Sequence, residues 1–145
     1  MADSEARRAL LGALEAFLEG DRSMGDLDQV LPVLDGYLRS FAAPGFVCAM
    51  VPIPPGPVAE YEGVDGVTRA WRDWGETFET IRADAEEIRQ SEDAVALFVN
   101  QIAVTKHGGV EMTKQSAMVW LFENDLVRRL EFHLDREAAI GAGGL

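Results

Sequence analysis

The sequence has almost nothing that could crosslink the chain or hold it in a membrane. Cys48 is the only cysteine among the 145 residues. A single cysteine excludes an internal disulfide and favours a reducing compartment, so we expect a cytoplasmic protein. The neighbours of Cys48 are apolar, which predicts a small buried core residue. No apolar stretch approaches the roughly 20 residues of a membrane-spanning helix, so we expect no membrane partner.

Positive charge is also scarce. The chain has 13 lysines and arginines against 25 aspartates and glutamates, a formal net charge of −12. Nucleic acid and anionic membrane surfaces repel such a chain, so neither is an expected partner. The two histidines, His107 beside a glycine pair and His133 in a strand-like run, do not form a zinc pattern. The sequence also lacks a glycine-rich phosphate loop, a CxxC pair and a nucleophile elbow, so we expect neither a metal nor a cofactor.

The overall amino-acid composition is that of a globular protein. The chain is 48% hydrophobic and 26% charged, which is typical of a folded protein. Its length suits a single domain, residues 1–145, with a core from about residue 6 to residue 140. No internal repeat, low-complexity segment or linker divides it.

Hydrophobic periodicity and turn residues predict the order of the elements. Helices come first, and strands dominate the second half of the chain. The predicted elements are a helix over Ser4–Glu19, a polar loop over Asp21–Asp26, a helix with Pro32 in its first turn, a strand over Phe46–Ile53, a helix from Gly63 to about Glu79, a strand over Ile81–Gln90, two β-hairpins over Ala94–Leu134 and a short helix over Arg136–Ile140, capped by Asp135 and followed by a loose tail.

The two hairpins share a central strand and predict a register. Gly108-Gly109 and Asn124-Asp125 are two-residue turn signals between β-rich runs. The first turn places opposite charges across the strands, which favours that pairing. The predicted cross-strand pairs are Lys106–Glu111, Asn100–Ala117, Phe98–Val119, Leu97–Trp120, Val119–Leu130, Ala117–Phe132 and Gln115–Leu134.

This register divides the side chains between two sheet faces. The first face is nearly all apolar and is expected to lie under the helices. It holds Phe98, Asn100, Ile102, Val104, Gln115, Ala117, Val119, Leu121, Leu130, Phe132 and Leu134. The second face has an apolar centre surrounded by a polar rim, and a monomer would expose that apolar centre to solvent. Such a surface predicts a homodimer packed through this face. The residues predicted at that convex interface are Met118, Trp120, Phe122, Arg129, Glu131 and His133.

Helices followed by a meander of strands indicate an α+β fold. The order of elements, with the motifs EGVDGV (62–67), WGETFE (74–79), AMVWLFENDLVRRLEF (117–132) and LDREAAI (134–140), resembles the nuclear transport factor 2-like superfamily, in particular its SnoaL-like, polyketide-cyclase-related branch. The resemblance implies a cone-shaped, cystatin-like α+β roll, in which a curved antiparallel or mixed sheet wraps around N-terminal helices. It also implies a pocket inside the cone and, often, a homodimer.

The chemistry of the resembling proteins does not carry over to this chain. Their acid or base after the first strand falls on Val51-Pro52, and a second pocket acid falls near Val119. A helix-1 tyrosine falls near Ala13 or Leu14, and the last-strand aspartate of the cyclases falls on Phe132. All these residues are apolar, so no catalytic residue is assigned.

Three hypotheses for the function follow from the sequence and the resemblance. The first is an apolar pocket that binds a small hydrophobic or aromatic molecule without the usual acid and base residues. The second is an enzyme similar to a polyketide cyclase or isomerase, and the third is a non-catalytic dimeric interaction module. The residues predicted to line the pocket are Tyr37, Trp74, Phe78, Phe98, Asn100, Ile102, Gln115, Val119, Leu130 and Phe132, with Asn100 and Gln115 as the polar contacts.

Overall fold

The chain folds into helices packed on one large sheet, as the α+β pattern predicts. The computed structural model describes residues 5–19, 23–52, 57–76 and 78–145. Within these ranges no helix is long and apolar enough to cross a membrane. The elements in chain order are α1 (Glu5–Glu19), β1 (Ser23–Asp26), α2 (Leu27–Phe41), β2 (Ala42–Val51), β3 (Ala59–Glu62), α3 (Asp65–Gly75), β4 (Phe78–Gln90), β5 (Ala94–Thr105), β6 (Glu111–Glu123), β7 (Leu126–His133) and α4 (Arg136–Gly143).

The sheet is curved, open and mixed. Its seven strands run in the order β1-β4-β5-β6-β7-β2-β3. β2 pairs with β7 in parallel, and the other neighbours are antiparallel. The main core forms where α1, α2 and α3 cover one face, which we call the helix-covered face. α4 covers part of the opposite, outer face.

Several element boundaries differ from the prediction. Residues 23–26 form β1 and pair with β4 rather than forming a loop. Pro32 lies in the interior of α2 rather than in its first turn. α2 tolerates the missing N–H because Leu34 and Leu38 anchor it in the core. α3 ends at Gly75, and Phe78 already begins β4, so the predicted helix end near Glu79 is wrong.

The C-terminal helix follows local signals at both of its ends. Asp135 caps α4 as predicted, accepting a hydrogen bond from the Glu137 N–H at 3.3 Å. α4 continues to Gly143, and Gly144 ends it in the left-handed conformation, so the tail is ordered rather than loose. At the other boundaries, the predicted helix start at Ser4 and the predicted strand end at Ile53 lie outside the described residues.

The first hairpin has a different register from the predicted one. Val104, rather than Lys106, lies opposite Glu111, and every cross-strand pair is displaced by two residues. The reason is a four-residue loop, 106–109, closed by Thr105. Its N–H donates to the Val110 carbonyl, and its hydroxyl accepts the Val110 N–H, both at 3.0 Å. A shift of two residues keeps every side chain on the same face as before.

The second hairpin has the predicted turn but a bulge behind it. Asn124 and Asp125 both have positive φ, 52° and 65°, as a two-residue turn of this kind needs. A register shift between Leu121 and Phe122 then displaces the pairing by one residue. As a result Val119 lies opposite Glu131 rather than Leu130.

The predicted assignment of the two sheet faces is wrong for β5 and β6. Met118 and Trp120 lie on the helix-covered face, where they are 6% and 0% exposed. Phe98 and Val119 lie on the outer face, under Ala139 of α4. Because α4 gives the outer face an apolar cover, both faces carry apolar side chains, and alternation alone does not tell which one the first three helices cover.

Candidate functional site

An apolar cavity of about 40 Å³ lies between the helices and the sheet. We call it the inner cavity. α2 and α3 form one side, and strands β2, β4, β5, β6 and β7 contribute to the other. The residues along its walls are Leu31, Leu34, Met50, Trp71, Trp74, Ile81, Ala83, Val99, Gln101, Ser116, Ala117, Met118, Phe132, His133 and Leu134.

A wider hollow of about 220 Å³, the outer cleft, adjoins the inner cavity. The two share Met50, Trp74, Phe132 and Leu134 as walls. The outer cleft also contains Asp73, whose carboxylate accepts a hydrogen bond from the Tyr61 hydroxyl at 2.8 Å. The site therefore has an open part with a polar rim and an enclosed apolar part, a common layout for small-molecule sites.

Two tryptophans on one face of α3 form the aromatic wall. Trp71 packs edge-to-face on Phe132 with ring centroids 4.8 Å apart, and Trp74 packs on Phe78 at 5.3 Å. The spacing of three residues brings both indoles to the same side of the helix. Among the described residues, neither indole Nε1 has a hydrogen-bond partner, although both atoms are buried.

The polar contacts of the cavity are Gln101 and Ser116. They are 7% and 5% exposed, and the Ser116 hydroxyl donates to the Gln101 Oε1 at 3.2 Å. The predicted polar contacts, Asn100 and Gln115, are the adjacent residues on the same strands. Those two pair with each other on the outer face, and Gln115 is exposed.

The structure brings only some of the predicted site residues together. Trp74 and Phe132 line the pocket, and Phe78 packs against Trp74. Leu130 lies on the correct face but is 0% exposed within the core. Tyr37 lies away from the pocket and donates its hydroxyl to a backbone carbonyl of α1 at 2.7 Å, and its burial raises its pKa. The residues that lie on the outer face are Phe98, Asn100, Ile102, Gln115 and Val119.

Most residues along the inner cavity are absent from the predicted set, and four of them shape its aromatic and polar character: Trp71, Gln101, Ser116 and Met118. The periodicity of α3 already places Trp71 beside Trp74. The predicted register puts the other three on the convex face. The alanine-rich sequence of α4 is the signal that could have identified the correct face for these residues. A helix with small side chains packs closely on a sheet, and the larger helices then cover the opposite face.

A chain of ionic contacts crosses the outer face. Glu131 is 8% exposed and accepts hydrogen bonds from the His133 ring at 2.9 Å and from Arg129 at 2.5 Å. Arg129 also reaches Glu60 on β3 at 2.5 Å. The bond from His133, followed by that from Arg129, outweighs burial and lowers the pKa of Glu131 to about 2. Strand alternation places these side chains opposite Phe132, on the side away from the helices.

The residues of the predicted dimer interface do not form the expected patch. Its apolar centre, Met118 and Trp120, is buried under the helices. Phe122 is half-buried against the guanidinium of Arg7, 5.1 Å from the ring centroid. Glu131 is on the outer face but is already covered by the chain itself. A homodimer stays a prediction, without this surface as its basis.

Cys48 lies in the main core and lines neither hollow. Cys48 is 0% exposed, which confirms the predicted core role, and burial raises the pKa of its thiol to about 12. Within the described ranges, no group of three His, Cys, Asp or Glu side chains is arranged to hold a metal ion.

Comparison with known proteins identifies the architecture. No protein-family model matches the sequence, and no curated protein matches it. Solved structures do match. An NTF2-like protein of unknown function from Burkholderia pseudomallei is 20% identical, with 99% of this chain and 100% of that chain covered and a TM-score of 0.57. The chain has the NTF2-like fold.

Other solved structures with the NTF2-like fold are similar over most of the chain. A candidate SnoaL-like polyketide cyclase from Mesorhizobium loti is 17% identical, covering 86% of this chain and 97% of that chain with a TM-score of 0.55. A protein with a ketosteroid isomerase-like fold from Catenulispora acidiphila, in complex with trimethylamine, is 12% identical, covering 77% and 83% with a TM-score of 0.53.

Proposed function

We propose that this chain is a small-molecule-binding domain whose ligand is a small apolar or aromatic compound. The observation that carries the proposal is the inner cavity, walled by Trp71, Trp74 and Phe132 and adjoining a wider cleft. Removing apolar ligand surface from water supplies the driving force, at roughly 25 cal/mol per Å². The apolar side chains of Met50 and Met118 adapt their shape to a ligand, as methionines do at many binding surfaces.

The size of the two hollows limits the ligand. The inner cavity, about 40 Å³, has room for only a few water-sized groups. The outer cleft, about 220 Å³, holds more. A compound of about one ring therefore fits with one end in the inner cavity and its body against Trp74 and Phe132. The Catenulispora acidiphila protein in complex with trimethylamine offers a precedent for a small guest in this fold.

The side chains around the inner cavity favour binding over proton-transfer chemistry. Among the described residues, His133 is the only titratable residue along its walls. The His133 Nε2 is bonded to Glu131, and its Nδ1 is buried without a hydrogen-bond partner among the described residues. Asp73 borders the outer cleft but is bonded to Tyr61. A general base needs to reach the proton that it removes; strand alternation directs the His133 ring to the outer face, and Asp73 lies in the outer cleft rather than in the inner cavity.

A titration with toluene, followed by saturation-transfer NMR, tests the proposal. Ala83 lines the inner cavity, so Ala83→Leu fills part of it and is expected to weaken binding at least tenfold. Thr80→Leu is the matched control, because Thr80 lies on the same strand and is exposed. Absence of toluene binding to the wild type, or equal binding by both variants, contradicts the proposal.

A further inference from the structure

The pocket presents hydrogen-bond donors that nothing in the described chain satisfies. The Nε1 atoms of Trp71 and Trp74 are buried without an acceptor, and both indoles border the inner cavity. A buried N–H without a partner is costly, and native proteins rarely leave one. A ligand atom in the cavity is the available acceptor.

Trp120 shows why an unpaired indole is not sufficient evidence. Its Nε1 also has no partner within the described ranges. Trp120 is 0% exposed in the core and borders neither hollow. Trp71 and Trp74 differ because both residues line the inner cavity. Trp74 borders both the inner cavity and the outer cleft.

The opposite wall also contributes a donor. The Oε1 of Gln101 accepts the Ser116 hydroxyl proton at 3.2 Å. The Gln101 amide also carries two N–H donors beside this oxygen, so this wall can donate to a ligand. The polar groups on both sides of the cavity therefore favour a ligand that accepts hydrogen bonds.

The cavity walls also indicate that the ligand is neutral. No Lys, Arg, Asp or Glu among the described residues lines the inner cavity. The His133 ring is bonded to Glu131, which lies on the outer face. An ion in this apolar space would lose its hydration without gaining a counter-charge, which strongly disfavours charged ligands.

We infer that the pocket selects neutral compounds with a carbonyl-type oxygen, which accepts the indole N–H of Trp74 or Trp71 while the apolar body lies against Phe132 and Met118. This inference rests on the proposed function and specifies its ligand class.

The test compares cyclohexanone with methylenecyclohexane, which has the same shape but carries CH₂ in place of the oxygen. In ¹⁵N-labelled protein, cyclohexanone is expected to move the indole N–H signals of Trp71 and Trp74 and to leave that of Trp120 unchanged. We expect the ketone to bind about fivefold to a hundredfold more tightly than the alkene, the range for satisfying a buried donor. Trp74→Phe and Trp71→Phe keep a ring but remove the N–H, so each is expected to reduce this preference. Trp120→Phe is the control and should retain it.

The outcomes separate the two claims. Equal binding of ketone and alkene, with unmoved indole signals, overturns the ligand class and leaves the binding function intact. Failure of both compounds to bind overturns the proposed function as well. If a tryptophan variant does not fold, the indole signals of the wild-type protein still decide the inference.

Discussion

The backbone N–H of Phe122 donates to the carbonyl of Asp93 at 2.8 Å, and this contact coincides with the bulge in β6. Without the bulge, the pairing of β7 with β6 would shift by one residue, and the β7 side chains would move to the opposite sheet face. With it, Phe132 lies opposite Met118 on the helix-covered face. A bond between the β4–β5 turn and β6 therefore accompanies the register that builds the pocket.

Phe132→Ala is expected to reduce both stability and ligand binding. The ring is 6% exposed and packs edge-to-face on Trp71. Its loss should lower the free energy of unfolding by about 2–4 kcal/mol, somewhat below a fully enclosed phenylalanine. Urea denaturation measures the loss. Phe98→Ala is the matched control, because Phe98 is 1% exposed on the outer face. It should lower stability similarly and leave binding unchanged. Equal loss of binding in both variants would count against the placement of the site.

Met118→Glu is expected to unfold the chain rather than to separate a dimer. Met118 is 6% exposed in the main core, so the substitution buries a carboxylate without a partner. The destabilisation should reach at least about 3 kcal/mol. Met112→Glu, at a residue that is 42% exposed, should have little effect on the thermal melting curve. A folded Met118→Glu protein whose mass by light scattering is half that of the wild type would instead support the convex interface.

The oligomeric state is a separate prediction. We expect light scattering of the wild type at micromolar concentration to report about twice the 15.9 kDa chain mass. A mass of one chain would contradict this prediction.

Glu131 is expected to make stability depend on acid pH. Its carboxyl has a pKa of about 2 in the folded chain against an ordinary value of 4.5, because His133 and Arg129 bond the charged form. The depressed pKa stabilises the fold above pH 4.5, and the contribution is lost as pH falls from about 4.5 towards 2. Glu131→Gln should flatten this decline, which we expect to be of the order of 2 kcal/mol. Urea titrations at several pH values measure it, with the exposed Glu123→Gln as control. An unchanged slope in Glu131→Gln would refute the assignment.

Two glycines are expected to respond in opposite directions to alanine. A Cβ on Gly66 would lie 2.8 Å from the Cβ of Tyr61 and 2.9 Å from its carbonyl oxygen, so α3 and β3 would have to separate. Gly66→Ala should cost about 1–3 kcal/mol. Gly12 lies within α1, and a Cβ added there would meet nothing within 4 Å. Gly12→Ala should stabilise by about 0.5–1 kcal/mol. Thermal melting measures both, and a stabilising Gly66→Ala would contradict the close contact.

The signals that predict the fold correctly are those that act between near neighbours. The turn at Asn124-Asp125 needs only two residues that tolerate positive φ. The cap at Asp135 needs only the N–H of Glu137. The apolar stripe of α3 likewise depends on residues within one helix, and it places Trp74 in the pocket.

Apart from the local loop of the first hairpin, the main errors in placing the pocket depend on contacts between distant segments. The bulge at Phe122 involves Asp93, a partner in another turn. Which sheet face the first three helices cover depends on α4, because Ala139 of that helix packs on an apolar surface that would otherwise be exposed to solvent. Because both faces are apolar, Gln101 and Ser116 could not be distinguished from their neighbours as pocket residues.

Native mass spectrometry of the purified chain, compared with Ala83→Leu and Thr80→Leu, tests the central claim most directly. Small molecules that survive purification are seen as added mass on the folded chain. We predict that the wild type and Thr80→Leu carry a neutral adduct, or take up cyclohexanone when it is added, and that Ala83→Leu carries much less. An adduct that Ala83→Leu retains at the wild-type level, or a wild type that takes up neither a natural ligand nor cyclohexanone, would contradict a binding site in this pocket.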